Sequence, residues 1–200
     1  MIINDDPQGS EQWFKTRCGI PSASNFDKII TTKGVPSKSA LKYCYTLAGE
    51  RITGKKEDTF QSYAMLQGIE REAESRRVYA EKHNVYMQQV GFCTSDDGKY
   101  GVSPDALIGG VIPWETKGPT LAVHVEYLLG KKLPTKYFQQ CQGALFISGA
   151  DHGIFTSYYT DMPMLEVVVE PDIPFHRALY SELLRFCDDL DKLTEQLRKG

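Results

Sequence analysis

Apolar residues fall into two kinds of pattern along the chain, and the switches between them mark out the elements. Helical spacing runs over residues 11–17, 25–31, 39–52, 60–83, 121–129, 135–146 and 175–198. Runs rich in β-branched and aromatic residues, bounded by turn residues, predict strands over 85–94, 99–108, 111–117, 153–160 and 165–170. In the helix over 39–52, Leu41, Tyr45, Ala48 and Ile52 form the apolar stripe. In the helix over 60–83, Met65, Ile69, Ala73 and Tyr79 stand among many charges. Gly68 costs that helix about 1 kcal/mol against alanine, which points to close backbone packing. The last helix carries Leu179, Leu183, Phe186, Leu190, Leu193 and Leu197 in a heptad-like stripe expected to close the core. Residues 1–10 are polar, with Pro7 and Gly9, and predict a loose start. The order is helices, strands, two helices, strands and a final helix. It predicts an α/β fold, a mixed central sheet flanked by helices, in a single domain over residues 1–200.

Composition narrows the function classes. The chain has 200 residues, 41% hydrophobic and 24% charged, enough for one real core. Its net charge of −3 means that any nucleic-acid-binding surface must be local. The five cysteines are scattered with no Cys-x-x-Cys pair, which argues against zinc or iron–sulfur sites and fits a reducing compartment. The four histidines form no ligand pair at helical spacing and are expected to sit at the surface or in supporting roles. No signal peptide or long apolar run is evident, so the expectation is a soluble cytoplasmic protein with no membrane association.

The candidate chemistry lies in Ser103-Pro-Asp-Ala-Leu-Ile-Gly-Gly-Val-Ile-Pro-Trp-Glu-Thr-Lys117. Asp105, Glu115 and Lys117 are the kit for holding a hard divalent cation and activating water beside a phosphate. Glu115 and Lys117 leave the same face of one strand. A two-residue turn at 109–110 sets Asp105 opposite Trp114 and turns the two acids to opposite faces; a three-residue loop or a bulge restores a shared face. Pro113 fits a bulge or an edge. Glu70, Glu72 and Glu74 fan around their helix, and position alone does not choose between them. Arg17 with Ser22 and Ser24 at a helix start forms a plausible phosphate grip, set against plain N-capping. Lys55 and Lys56 are candidates for a nucleic-acid backbone or an ordinary solvated pair.

Four segments in order resemble one family. Trp13-Phe-Lys-Thr-Arg-Cys-Gly-Ile-Pro-Ser-Ala-Ser24, Gly68-x-x-x-Glu72, Ser103-Pro-Asp105 with Glu115-x-Lys117, and Tyr137-x-x-Gln140-x-Gln142 are similar to motifs of the lambda-type phage exonucleases. These form the YqaJ-like viral recombinase family of the PD-(D/E)xK nuclease superfamily. The resemblance selects Glu72 among the three glutamates. It implies Asp105, Glu115, the Thr116 carbonyl and Glu72 as ligands of Mg²⁺, with Mn²⁺ as the alternative and two ions expected. It implies Lys117 and Gln140 as partners in catalysis, and Arg17, Ser24 and Ser103 as the grip on a DNA 5′-phosphate. Thr116 departs from the family, where an apolar residue is usual. The implied activity is 5′→3′ digestion of one strand of linear double-stranded DNA, leaving 3′ overhangs for strand annealing. A homotrimer and a single-strand-annealing partner protein, in a bacterial host and of phage or prophage origin, follow from the same resemblance. The rivals are a restriction-type endonuclease on the same core and a non-catalytic DNA-end-binding protein.

Overall fold

The computed structural model describes residues 1–56 and 63–200, with the side chains of 63–69 outside the description. The expectations placed on Met65, Gly68 and Ile69 therefore lie outside the described residues. The helices are α1 (Glu11–Arg17), α2 (Ala40–Thr53), α3 (Tyr63–His83), α4 (Leu121–Gly130), α5 (Phe138–Ser148) and α6 (Ile173–Lys199). The strands are β1 (Met87–Gln88), β2 (Cys93–Thr94), β3 (Gly101–Val102), β4 (Ala106–Ile108), β5 (Ile112–Lys117), β6 (Gly153–Ser157) and β7 (Leu165–Val169). The main sheet has the order β1-β4-β5-β6-β7. It is antiparallel except between β5 and β6. That parallel pair needs a crossover, which α4 and α5 supply. The result is the expected mixed sheet with helices on its faces and a C-terminal helix.

Alternation along β5 directs the two faces. Trp114 packs with Tyr79 of α3 and Ala106. On the other face Phe155 of β6 packs with Cys141 and Leu145 of α5. Beyond α5, the largest cluster joins Phe26 and Ile30 to Leu47 of α2 and Leu179, Leu183 and Leu190 of α6. The α6 stripe thus closes the core as expected, except that Leu197 near its end is exposed.

Several expectations are corrected. Three of the four stripe residues of α2 face outward: Leu41, Tyr45 and Ile52 are 61%, 56% and 44% exposed, while Ala48 is buried as expected, together with Tyr43, Cys44 and Leu47. The helix carries two apolar arcs, and only the presence of α6 decides which is covered. The strands expected over 85–94 and 99–108 are each broken, and β2 pairs with β3 as a separate small sheet. The break falls at Gly91, where a Cβ would lie 2.3 Å from the Asp6 carbonyl oxygen. The start of the chain is also tied down rather than loose. Ile2 and Thr94 exchange hydrogen bonds of 2.9 Å, and the Gln8 amide donates to the carbonyls of Val90 and Pro104 at 3.0 and 2.8 Å.

The segment predicted as a helix over 25–31 is a 3-10 turn at Ala23–Lys28, held against α5. Gly143 makes that approach possible: a Cβ there would lie 2.6 Å from Phe26 Cδ2 and 3.0 Å from Ala23 Cβ. Alanine gains up to about 1 kcal/mol of helix propensity, but overpacking of a fixed aromatic costs about 1–3 kcal/mol. Gly143→Ala is expected to destabilise the fold, read as a lowered Tm in a thermal melt.

Candidate active site

The register of the hairpin settles the face question. Ala106 pairs with Trp114, Leu107 with Pro113 and Ile108 with Ile112, so Gly109, Gly110 and Val111 form a three-residue loop. Both glycines have positive φ, 59° and 80°, which this tight closure needs. One step beyond Ala106 and Trp114, Asp105 stands across from Glu115, and directly opposed residues share a face. Pro113 is tolerated inside β5 because β6 begins to pair only at Trp114.

The other expected residues gather around this pair. Asp105 Oδ2 accepts the Thr116 N–H at 2.7 Å. A strand residue's N–H and C=O leave on the same side, so the Thr116 carbonyl also faces the Asp105 edge. The Lys117 carbonyl goes the other way, accepting from Tyr158 N–H at 2.9 Å. Glu115 Oε1 accepts from both Lys117 Nζ and the Gln140 amide. Glu115 Oε2 is buried with no partner among the described residues. Glu72 lines a cleft of about 380 Å³ together with Asp105 and Arg76. Glu70 is exposed, and Glu74 accepts from the Thr160 hydroxyl at 3.1 Å. Gln142, by contrast, is structural: it donates to the Glu170 carbonyl at 2.8 Å and accepts the Asp172 N–H at 2.9 Å.

The charge balance of the cluster is unfavourable for carboxylates. Burial, then Asp105, pushes Glu72 up to about 7. Burial, then Asp105, pushes Glu115 up to about 8 against the pull of Lys117. Asp105 is also raised by burial, opposed by Lys117, the Thr116 N–H and Arg76. Burial works against the charge on Lys117, but Glu115, Asp105 and Glu72 outweigh it and hold the ammonium charged well above its usual range. Three acids facing Lys117 and Arg76 leave room for further positive charge. Among the described residues no three His, Cys, Asp or Glu side chains close on a point tightly enough to grip an ion by themselves. A cation held here would need the Thr116 carbonyl and water beside Asp105 and Glu115, a ligand set that magnesium accepts. The orphaned Glu115 Oε2 fits that demand.

The residues expected to grip a phosphate gather in a second cluster. Arg17 lies over the Trp13 ring, 4.1 Å from its centroid, and donates to Ser22 Oγ at 3.4 Å. Ser22 does not cap the turn with its side chain; its hydroxyl instead meets Ser24 Oγ at 3.2 Å and the Asn25 amide at 3.3 Å. Ser103 Oγ accepts the Trp13 indole N–H at 3.2 Å. The indole thus stands between Arg17 and Ser103.

Sequence reasoning missed Trp13 in that role and missed Arg76. The Arg76 guanidinium donates to the Asp105 carbonyl at 3.2 Å. With the Gln89 amide turned so that its oxygen faces Arg76, it also donates there at 2.9 and 3.2 Å. Arg76 stands four residues from Glu72, one helical turn on the same face, which was the available clue. The departure at Thr116 also has a cause: its Oγ1 meets Ser75 Oγ at 2.8 Å, both buried against α3. Of the histidines expected at the surface or in supporting roles, His124 is not at the surface: it is fully buried between Ser157 Oγ at 2.8 Å and the Pro163 carbonyl at 3.0 Å. All five cysteines are free.

The family model for the YqaJ-like viral recombinase domain matches residues 12–151. The chain belongs to that family. An alkaline exonuclease from Laribacter hongkongensis, LHK-Exo, is similar over 95% of this chain and 97% of its own, with 26% identity and a TM-score of 0.85. LHK-Exo in complex with dAMP matches equally well, at 26% identity and TM-score 0.85 over 95% and 97% of the two chains. A phage-related exonuclease from Haemophilus somnus 129PT shares the fold, at 13% identity and TM-score 0.62 over 90% of this chain and 95% of its own. No curated protein matches the chain. Family and structural likeness together support a nuclease role in recombination. Among the described residues no helix is long and apolar enough to cross a membrane.

Proposed function

We propose that the protein is a metal-dependent 5′→3′ exodeoxyribonuclease that digests one strand of linear duplex DNA and leaves a 3′ overhang for strand annealing. The observation that carries this reading is the pair Asp105 and Glu115, opposed across a three-residue hairpin loop with Glu115 Oε2 unpartnered and Lys117 alongside. Asp105, Glu115 and the Thr116 carbonyl would hold Mg²⁺ or Mn²⁺, and Glu72 would support a second ion. When bound, such ions supply a water of lowered pKa and offset charge on the phosphoryl and leaving oxygens. Lys117, charged and carrying three donors, orients the attacking water or a phosphoryl oxygen. Gln140 holds Glu115 from the opposite helix and so fixes where Lys117 can point. Arg17, Ser24 and Ser103 would engage the 5′-terminal phosphate, which places the end of the strand at a set distance from the acids. The same reading has three copies of the chain around the duplex and an annealing protein receiving the bared strand; the native mass tests the first.

The test compares linear duplexes bearing 5′-phosphate or 5′-hydroxyl, and a covalently closed circle, with and without Mg²⁺. Nucleotide release is expected from linear DNA with Mg²⁺ only. Arg17→Ala is expected to slow digestion of phosphorylated ends by about 10–100-fold, the worth of one charge-assisted hydrogen bond. Cleavage of the closed circle would favour an endonuclease, and binding of ends without any release would leave an end-binding protein.

A further inference from the structure

Asp105 lies one residue before β4, so pairing within the sheet does not by itself set its main chain. Peptide planes are rigid, and a residue's backbone keeps two soft angles, φ and ψ. Holding the plane on each side of Asp105 therefore fixes both. The carbonyl of the plane before it, that of Pro104, accepts from the Gln8 amide at 2.8 Å. The carbonyl of the plane after it, its own, accepts from the Arg76 guanidinium at 3.2 Å. The far end of the side chain is then held by the Thr116 N–H. The two clamps are joined to each other. The same Gln8 nitrogen donates to the Val90 carbonyl at 3.0 Å, and Arg76 donates to the turned amide oxygen of the adjacent Gln89. A closed ring of hydrogen bonds thus runs from Gln8 through Asp105, Arg76 and residues 89–90 back to Gln8. The segment carrying Gln8 is anchored in turn: the Asn4 carbonyl accepts the Gly91 N–H at 2.8 Å, and Ile2 pairs with Thr94. The ring borders the carboxylate cleft, which Gln8, Arg76, Gln89 and Val90 line together with Glu72 and Asp105.

We propose that Gln8, acting with Arg76, is a positioning residue that fixes the main chain of Asp105 and so sets where its carboxylate stands relative to Glu115. This rests on the reading of Asp105 and Glu115 as the metal-holding pair, and it brings the start of the chain into the active site. Partners one shell out from a ligand orient it, and their loss is felt in metal affinity and in rate. Gln8 is the cleaner probe of the two. It carries no charge, whereas Arg76 also favours the ionised forms of Glu72 and Asp105.

The experiment compares the wild type with Gln8→Met, which keeps the length of the side chain and removes both donated bonds without adding charge. In chelator and without DNA, amide hydrogen exchange followed by NMR reads the Thr116 N–H, whose bond to Asp105 Oδ2 opens when the carboxylate moves. Its exchange is expected to speed up by about 2–10-fold, the worth of one hydrogen bond. The amides of Leu179 and Leu183, buried in α6, are expected to exchange as in the wild type. With Mn²⁺, the Kd read by electron paramagnetic resonance is expected to rise, and kcat on linear duplex DNA to fall, by about 10–100-fold. KM for DNA is expected to hold. Arg76→Lys, which keeps the charge and loses the fork of donors, is expected to act in the same direction. The double variant should lose less than the product of the single losses, because both residues act through Asp105. Unchanged exchange at Thr116 overturns the proposal. So does an equal rise in α6, which would make Gln8 a general staple of the fold. An unchanged Mn²⁺ Kd and kcat in a protein whose wild type digests DNA overturns it as well. Failure of the wild type to bind Mn²⁺ or release nucleotides counts against the exonuclease reading instead, and the Thr116 exchange still decides whether Gln8 positions Asp105.

Discussion

Asp105→Asn is expected to abolish DNA digestion while raising the Tm of the metal-free protein. The loss should reach at least about a thousandfold, the upper range for removing one preorganised electrostatic group. The amide keeps an oxygen to accept the Thr116 N–H, so the hairpin retains the 2.7 Å contact that fixes the edge of β5. What disappears is a buried negative charge beside Glu115 and Glu72, both of which Asp105 pushes upward. Removing that repulsion should stabilise the fold by about 1–2 kcal/mol, or about 2–8 °C for a chain of this size. A stability cost held in a cluster that serves activity would be a common trade. The two readouts are a nuclease assay with Mg²⁺ and a thermal melt in chelator. A variant that melts lower than wild type would mean that Asp105 is a structural residue. One that digests normally would remove it from the catalytic set.

Mg²⁺ is expected to raise the Tm far more at pH 8.5 than at pH 6. The sign follows from the raised carboxyl groups. An acid whose pKa is higher in the folded state than in the unfolded one takes stability away as pH rises from its unfolded value to its folded value. For Glu72 and Glu115 that window runs from the ordinary 4.5 to about 7 and about 8. The metal-free protein should therefore lose stability across pH 4.5 to 8 from these groups. A cation needs the deprotonated carboxylates, so protons compete with it below that window's upper end and cease to above it. At a concentration one hundred times its Kd a ligand stabilises by about 2.7 kcal/mol. At pH 8.5 this should appear as a rise of about 5–10 °C that chelator reverses, and at pH 6 as less than half of that. An equal rise at both pH values would show that the ion binds somewhere other than this cluster.

How much of this was legible in the chain differs from residue to residue. The acid, acid, lysine set was readable because Asp105, Glu115 and Lys117 lie close in sequence on one hairpin, where strand alternation is a local rule. The α6 stripe was readable for the same reason: helical periodicity places Leu179, Leu183, Phe186 and Leu190 on one side without reference to anything else. Other features depended on contacts between distant segments. The loop at 109–111 could close with two residues or three, and only pairing of β4 with β5 chose three, bringing the two acids to one face. The two apolar arcs of α2 were equivalent until α6 covered one of them. The strand expected over 85–94 broke because residues 4–6, far away in sequence, pack onto Gly91.

The sequence by itself determined which residue types could do phosphoester chemistry and which segments could be buried, since side-chain type and short-range period are carried locally. Tertiary structure alone decided that Glu72 shares a cleft with Asp105, that Gln140 reaches Glu115 from another helix, and that Gln8 and Arg76 hold the carbonyls on either side of Asp105. Those meetings are set by how helices and sheet pack, and packing joins positions whose separation along the chain holds no record of their distance in space.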